Sequence, residues 1–213
     1  MLKVKQFVFN MFGENTFVVS DSDTKDAVVI DPGMFTDAER REFDDYVSSN
    51  SLKIIQVINT HLHLDHCFGD NYVRDKYGVK VAANVGDAPL GANLGAQIRR
   101  FGGRGAMDSV TIDVPLKDGD IIKVGSGELK VIETPGHSKG GICLYCETGK
   151  FLISGDTLFR GGVGRTDLEG GDARQLTDSI RTKLFTLPDD TAVLPGHDRF
   201  TTIGDEKRSN PYV

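Results

Sequence analysis

The stretch Asn59–Cys67 reads NTHLHLDHC and packs His61, His63, Asp65 and His66 into six positions of a chain that has only five histidines in 213 residues. A lone histidine is ordinarily a packed or solvated side chain. A core has no use for three imidazoles this close together, whereas a metal ion does. Alternate residues of extended backbone project to the same side, so His61 and His63 can reach one ion. Asp65 and His66 fall where a helix is expected to begin. The turn into it would redirect both side chains towards a neighbouring position, and a helix start suits an aspartate.

Working outward, the apolar run LKIIQVINT leads straight into this cluster, and three later stretches repeat its design. VIETPGH ends at His137, FLISGD at Asp156 and AVLPGH at His197. Each is an apolar β-run, a glycine turn and then a side chain able to ligate metal. Loops at strand ends on a rigid sheet are where sites are usually built, and glycine lets the backbone turn sharply beside an ion. His61, His63, His66, His137, His197, Asp65 and Asp156 are too many for one tetrahedral zinc, which takes about four ligands. They suit two divalent metals about 3.5–4 Å apart, bridged by a carboxylate and a hydroxide. Imidazole and carboxylate ligands favour zinc, iron or manganese without deciding among them, and zinc is the expectation. Such a centre brings a bound water to a pKa near 7 and hydrolyses acyl or phosphoryl bonds.

The rest of the chain reads as two similar halves, each running from strands to a helix. KVKQFVF, TFVVSD and AVVIDPG read as strands. TDAERREFDDYV reads as a helix, with a capping box from Thr36 and Glu39 and with Phe43, Tyr46 and Val47 on one face. FGDNYVRDKYG reads as a second helix capped by Gly78, and VKVAAN as a buried strand. The glycine-studded residues 86–110 have weak periodicity and fit either a surface excursion or a lid and substrate wall. Strands return in DIIKVG, ELKVIETPGH, GICLYCE and KFLISGD. The helix DARQLTDSIRTKLFTL follows, with Asp172 and Gln175 at its start and Leu176, Ile180 and Leu184 as its stripe. The tail TTIGDEKRSNPYV has room for one helical turn. With no linker and no repeat period, residues 1–213 are expected to form a single domain of two sheets packed face to face with helices outside.

A net charge of −6 and a pI near 5.4 argue against nucleic acid as a partner. No stretch has the length of a membrane span, and MLKVKQFVFNMFGEN reads as a strand rather than a signal peptide, so a cytoplasmic location and no membrane partner are expected. The Cys143-x-x-Cys146 spacing could signal redox chemistry or zinc. On a strand, however, residues i and i+3 face opposite sides about 10 Å apart, beyond the roughly 7 Å that a disulfide spans. Both cysteines, and Cys67, are therefore expected to be packing residues.

THLHLDH resembles the T-H-x-H-x-D-H motif of the metallo-β-lactamase superfamily, and PGH, SGD and PGH follow in that superfamily's order. The resemblance covers nearly the whole chain and implies an α/β four-layer αββα sandwich of two mixed sheets. It also implies that His61, His63 and His137 hold a first metal, that Asp65, His66 and His197 hold a second, and that Asp156 bridges them. Asp31, in AVVIDPG, matches the early D-P-G turn and would orient a ligand histidine from behind. GDTLFRGGVGRTDLEGGD resembles the loop of type II glyoxalases (hydroxyacylglutathione hydrolases) and of persulfide dioxygenases, with Arg165 in the place of a basic residue that holds an anionic thiol substrate. The ending is similar to a compact bacterial glyoxalase II-like subgroup, so the C-terminal helical region that helps full-length type II glyoxalases bind glutathione is not expected after His197. Asp198 stands where a smaller residue is commoner.

The function implied is thioester hydrolysis, with a hydroxyacylglutathione or related small thiol conjugate as substrate. Metal-bound hydroxide would be the nucleophile, and Asp65 would accept its proton. The alternatives are a mononuclear Fe(II) persulfide dioxygenase, a lactonase of the same superfamily and a non-catalytic metal-binding module. Oligomeric state is not expressed in the sequence.

Overall fold

Strands that are apolar at nearly every position, rather than at alternate ones, must be covered on both faces. In the computed structural model, which describes residues 1–100, 102 and 107–213, two such sheets lie face to face. The first is six-stranded and runs in sequence order: β1 (Leu2–Phe9), β2 (Glu14–Asp21), β3 (Asp26–Ile30), β4 (Lys53–Ile58), β5 (Lys80–Ala83) and β6 (Val114–Pro115). The β1–β2–β3 meander is antiparallel, and β3 to β6 are parallel. Parallel neighbours need crossovers, supplied here by α1 (Asp37–Ser49) between β3 and β4 and by α2 (Asp70–Tyr77) between β4 and β5.

The second sheet is also six-stranded. It contains β7 (Ile121–Val124), β8 (Gly127–Glu133), β9 (Ile142–Cys146), β10 (Phe151–Gly155), β13 (Ala192–Pro195) and β14 (Thr201–Thr202), ordered β14-β13-β10-β9-β8-β7. Between β10 and β13 lie a small hairpin, β11 (Leu158–Phe159) with β12 (Gly162–Val163), and the crossover helix α5 (Ala173–Thr182). Beyond β14 comes α6 (Ile203–Ser209).

The period of two in each strand divides its side chains between two cores. Phe17, Val19, Val28, Ile30 and Ile58 face the second sheet, where Leu129, Val131, Leu144 and Ile153 meet them. Their sequence neighbours Val18, Val29 and Val57 face outward and pack with Phe43, Val47 and Val73 of α1 and α2. On the other side Cys143, Leu152 and Val193 pack with Leu176, Ile180 and Ile203 of α5 and α6. The result is the expected four-layer αββα sandwich. Each such aliphatic side chain contributes about 1.5–3 kcal/mol on burial.

Local signals act where the sequence places them. Thr36 accepts from Glu39 N at 3.3 Å and Glu39 returns a bond to Thr36 N at 2.7 Å, completing the capping box of α1. Gly78 ends α2 at φ 64°, and Asp172 caps α5 by accepting from Gln175 N at 3.0 Å. Cys143 and Cys146 are free, buried and turned to opposite faces of β9.

Three elements differ from the sequence expectation. The helix after the histidine cluster begins at Asp70, because Leu64–His66 form a separate 3₁₀ turn and Gly69 intervenes. The tail is longer than one turn: Thr202 caps α6 by accepting from Asp205 N at 3.1 Å, and Ile203 buries its first residue. Residues 86–110 hold two short helices, α3 (Ala88–Ala92) and α4 (Leu94–Arg100), although residues 101 and 103–106 of that segment lie outside the described residues. No described helix is long and apolar enough to cross a membrane.

Candidate metal centre

Strands β8, β10 and β13 run in the same direction, because β9 is antiparallel to both β8 and β10, and β13 is parallel to β10. Their C-terminal ends, with that of β4 from the other sheet, open onto one edge of the sandwich. His61, His63, Asp65 and His66 follow β4, His137 follows β8, Asp156 follows β10 and His197 follows β13. All seven sequence-derived candidates meet there.

They form two groups. His137 Nε2 lies 2.8 Å from His63 Nδ1 and 3.2 Å from His61 Nε2. His197 Nε2 lies 3.3 Å from His66 Nε2 and 3.2 Å from Asp65 Oδ2. Asp156 spans the two groups: its Oδ1 is 3.5 Å from His66 Nε2, and its Oδ2 is 3.5 Å from His137 Nε2. The backbone comes close to make this possible. A Cβ on Gly196 would stand 2.5 Å from Asp156 Oδ1 and 2.7 Å from His66 Cε1, so the turn before His197 admits only glycine.

The outward-facing nitrogens show which form each imidazole takes. His137 Nδ1 faces the main-chain oxygen of Arg165 at 2.7 Å and must donate to it. His66 Nδ1 faces Asp31 Oδ2 at 3.1 Å and donates likewise. The Thr60 hydroxyl donates to Asp31 Oδ2 at 2.6 Å, so it accepts from His61 Nδ1 at 3.1 Å. All three histidines therefore turn an Nε2 lone pair inward. Lone pairs at these separations repel one another unless a cation lies among them, and Asp156 Oδ1 is buried with no hydrogen-bond partner. This donor set fits divalent metal, with His61, His66 and His137 each oriented from behind as metal-site histidines require, while His63 Nε2 is buried without a partner.

The electrostatics point the same way. Burial, reinforced by His66 and His137, holds His61 well below the usual histidine range. Burial and His137 bring His63 down to about 3. Both are thus neutral, which is the ligating form. Burial would also lower His66, but the Asp156 and Asp65 carboxylates outweigh it and raise that group, so without metal a proton is favoured at this position, in the place a divalent cation would take beside the same carboxylates. Burial would raise Asp156, and His66 overrides it, so the bridging carboxylate stays ionised.

Beside the two groups is a cavity of about 340 Å³ whose other walls are Phe12, Leu64, Phe159, Arg165 and Leu168. Arg165 lines it, but its guanidinium is engaged with Asp167 through two contacts of 2.7 Å, and its main-chain oxygen is what holds His137. Asp31 stands behind the centre and accepts from Thr60 N at 2.7 Å as well as from His66. Sequence reasoning missed Thr60, whose place inside the conspicuous THLHLDH run was the only signal. It also missed Glu14, a fully buried carboxyl whose Oε1 is 3.9 Å from His66 Nδ1 and which burial pushes well above its ordinary value.

Residues 10–197 match the family model of the metallo-β-lactamase superfamily. The chain is 35% identical over 207 residues to the hydroxyacylglutathione hydrolase GloC of Haemophilus influenzae, covering 95% of this chain and 93% of that one. Among solved structures, the B3 metallo-β-lactamase BLEG-1 superposes with a TM-score of 0.88 at 33% identity, covering 99% of each chain. The protein TTHA1623, solved in a di-iron-bound form, superposes with a TM-score of 0.85 at 30% identity over 98% of this chain and 100% of that one. Similarity of this extent, over a chain that carries the same sandwich and a metal-type donor set at its edge, makes the protein a member of the metallo-β-lactamase superfamily and, at that level, a metallo-hydrolase.

Proposed function

We propose that the protein is a binuclear metal-dependent hydrolase that cleaves thioesters of small hydroxyacyl thiols. The observation that carries this reading is Asp156, whose carboxylate reaches imidazoles of both groups: His66 and His197 on one side and His137 on the other. In this reading His61, His63 and His137 would hold one divalent ion, Asp65, His66 and His197 would hold the other, and Asp156 would serve both. When bound, the pair supplies Lewis acidity at the substrate carbonyl and a water that ionises near neutral pH.

The remaining work falls to the chain. Asp31, Thr60 and the Arg165 carbonyl keep the imidazole lone pairs aimed inward. Phe12, Leu64, Phe159 and Leu168 restrict water on the substrate side. The Asp65 carboxylate takes up the proton released as water adds to the carbonyl. Arg165 faces the anionic carrier by exchanging part of its pairing with Asp167.

Thioesters make the least demand on this cavity. Among its described lining residues only members of the ligand set, Asp65 foremost, could carry a proton to a departing nitrogen. A thiolate leaves without that help. The similarity to a hydroxyacylglutathione hydrolase supports the same class.

The test is metal analysis followed by a panel of hydroxyacyl thioesters, lactones and β-lactams on the wild type and His61→Ala. Metal-dependent thioester hydrolysis that His61→Ala abolishes is expected. A metal-loaded wild type inert to every thioester contradicts the reading, as does one iron per chain with oxygen consumption on a persulfide.

A further inference from the structure

The two halves of the centre are anchored by different parts of the chain. Residues 61–63 have no regular structure, so no strand ladder fixes the backbone carrying His61 and His63. Two side chains from the segment after β5 take that role. Asp87, 1% exposed, accepts from Leu62 N at 3.1 Å. The same carboxylate accepts from Ser138 Oγ at 2.8 Å and from Gly140 N at 2.6 Å, in the loop that follows His137. One carboxylate thus joins both loops of the three-histidine group. A Cβ on Gly140 would stand 2.6 Å from Asp87 N, so the two backbones are in direct contact there.

Gln97 of α4 closes on the same loop from the other side. Its Nε2 donates to Leu62 O at 3.1 Å and its Oε1 accepts from Leu64 N at 3.0 Å, straddling His63. A further bond from Nε2 to Leu90 O, at 3.0 Å, ties it to α3.

The other half is held from the β1–β2 hairpin. Asn10 Nδ2 donates to Asp65 O at 3.0 Å. Asn15 donates through Nδ2 to Pro195 O at 2.8 Å and to Asp198 O at 3.1 Å, and through its main-chain N to Gly196 O at 2.7 Å. These bonds flank Asp65 and His197 and reach neither residues 61–63 nor the loop after His137, although Asp65 lies in the same connection as His63.

We propose that the two metal positions are set by two independent braces: Asp87 with Gln97 for the His61–His63–His137 position, and Asn10 with Asn15 for the Asp65–His66–His197 position. All four are positioning residues, acting through the backbone that carries the ligands. The segment 86–97 is then a structural support of the centre rather than a surface excursion. The proposal rests on the binuclear reading above, and the experiment separates the two.

Zinc affinity is measured by chelator competition in two single-position backgrounds, His197→Ala and His61→Ala, together with the wild type. In the His197→Ala background Asp87→Ala lowers affinity about 10- to 100-fold, the range for loss of a group that orients a ligand, and Asn15→Ala leaves it within about twofold. In the His61→Ala background the two effects exchange places. Asp87→Asn guards against misfolding. It keeps an acceptor for Leu62 and Ser138, sets an NH₂ against Gly140 N–H, and shows a smaller loss in the same background only. Thermal midpoints of the metal-free variants report folding separately. Equal losses in both backgrounds, or a loss in neither, overturn the braces. A wild type that takes up fewer than two zinc ions overturns the binuclear reading, and the braces with it.

Discussion

Asp31 Oδ2 lies 3.1 Å from His66 Nδ1, and the same carboxylate accepts from both the main-chain N and the hydroxyl of Thr60. Asp31 therefore orients His66 directly and His61 through Thr60. Its φ of 49° is a left-handed conformation that asparagine tolerates at least as well as aspartate. Asp31→Asn thus tests the charge without straining the backbone. It is expected to weaken zinc binding about 10- to 100-fold in a chelator competition, and unchanged affinity would show that the carboxylate does not act on the ligands.

Asp44 of α1 accepts hydrogen bonds from Tyr72, Lys76 and Tyr77 of α2, the last at 2.7 Å. Burial would raise its carboxyl, but the bonds from Lys76, Tyr72 and Tyr77 outweigh it and hold the group below its ordinary value. A carboxyl lowered in the folded state stabilises above its unfolded pKa, near 3.9, and that contribution is lost as pH falls through the lower folded value. Asp44→Asn is expected to cost about 1–2 kcal/mol at pH 7, with the gap to wild type closing below about pH 4. Urea titrations at the two pH values measure it, and a gap that widens in acid would have the wrong sign.

The inter-sheet core predicts a large loss for one buried side chain. Leu144 is fully buried among residues of both sheets. Leu144→Ala is expected to destabilise by about 2–5 kcal/mol, seen as a lower denaturation midpoint with an unchanged slope. A change under about 1 kcal/mol would mean the sheets are not closely packed at β9.

Cys143 and Cys146 face opposite sides of β9, and burial pushes the Cys143 thiol up to about 11. A mild disulfide-forming oxidant is expected to leave all three cysteines titratable in denaturant. The loss of two thiols without dimerisation would place Cys143 and Cys146 closer together than the strand allows.

What the sequence made legible follows from the range of each interaction. His61, His63 and His66 stand out because packing cannot explain them. The strands of the second sheet stand out because β9 and β10 are buried at every position. α1 announces itself through Thr36 and Glu39, three residues apart. By contrast, α3 and α4 span five and seven residues, too few for a period of 3.6 to show. Asp87 and Gln97 were illegible because they bond to main-chain atoms and to Ser138 across 25 to 53 residues of sequence, and main-chain partners leave no residue signature. At Arg165 the sequence pointed to the guanidinium as a substrate contact and gave no sign that the main-chain oxygen of that residue faces His137.

In the proposed function two metal ions, shared through Asp156, together hydrolyse a thioester. The most direct measurement titrates zinc into the metal-free chain while following hydrolysis of a hydroxyacyl thioester. Activity that rises to a plateau at about two equivalents, the stoichiometry of a two-metal site, with Asp156→Asn failing to reach it, is the expected result. Full activity at one equivalent, or none at any loading, would contradict it.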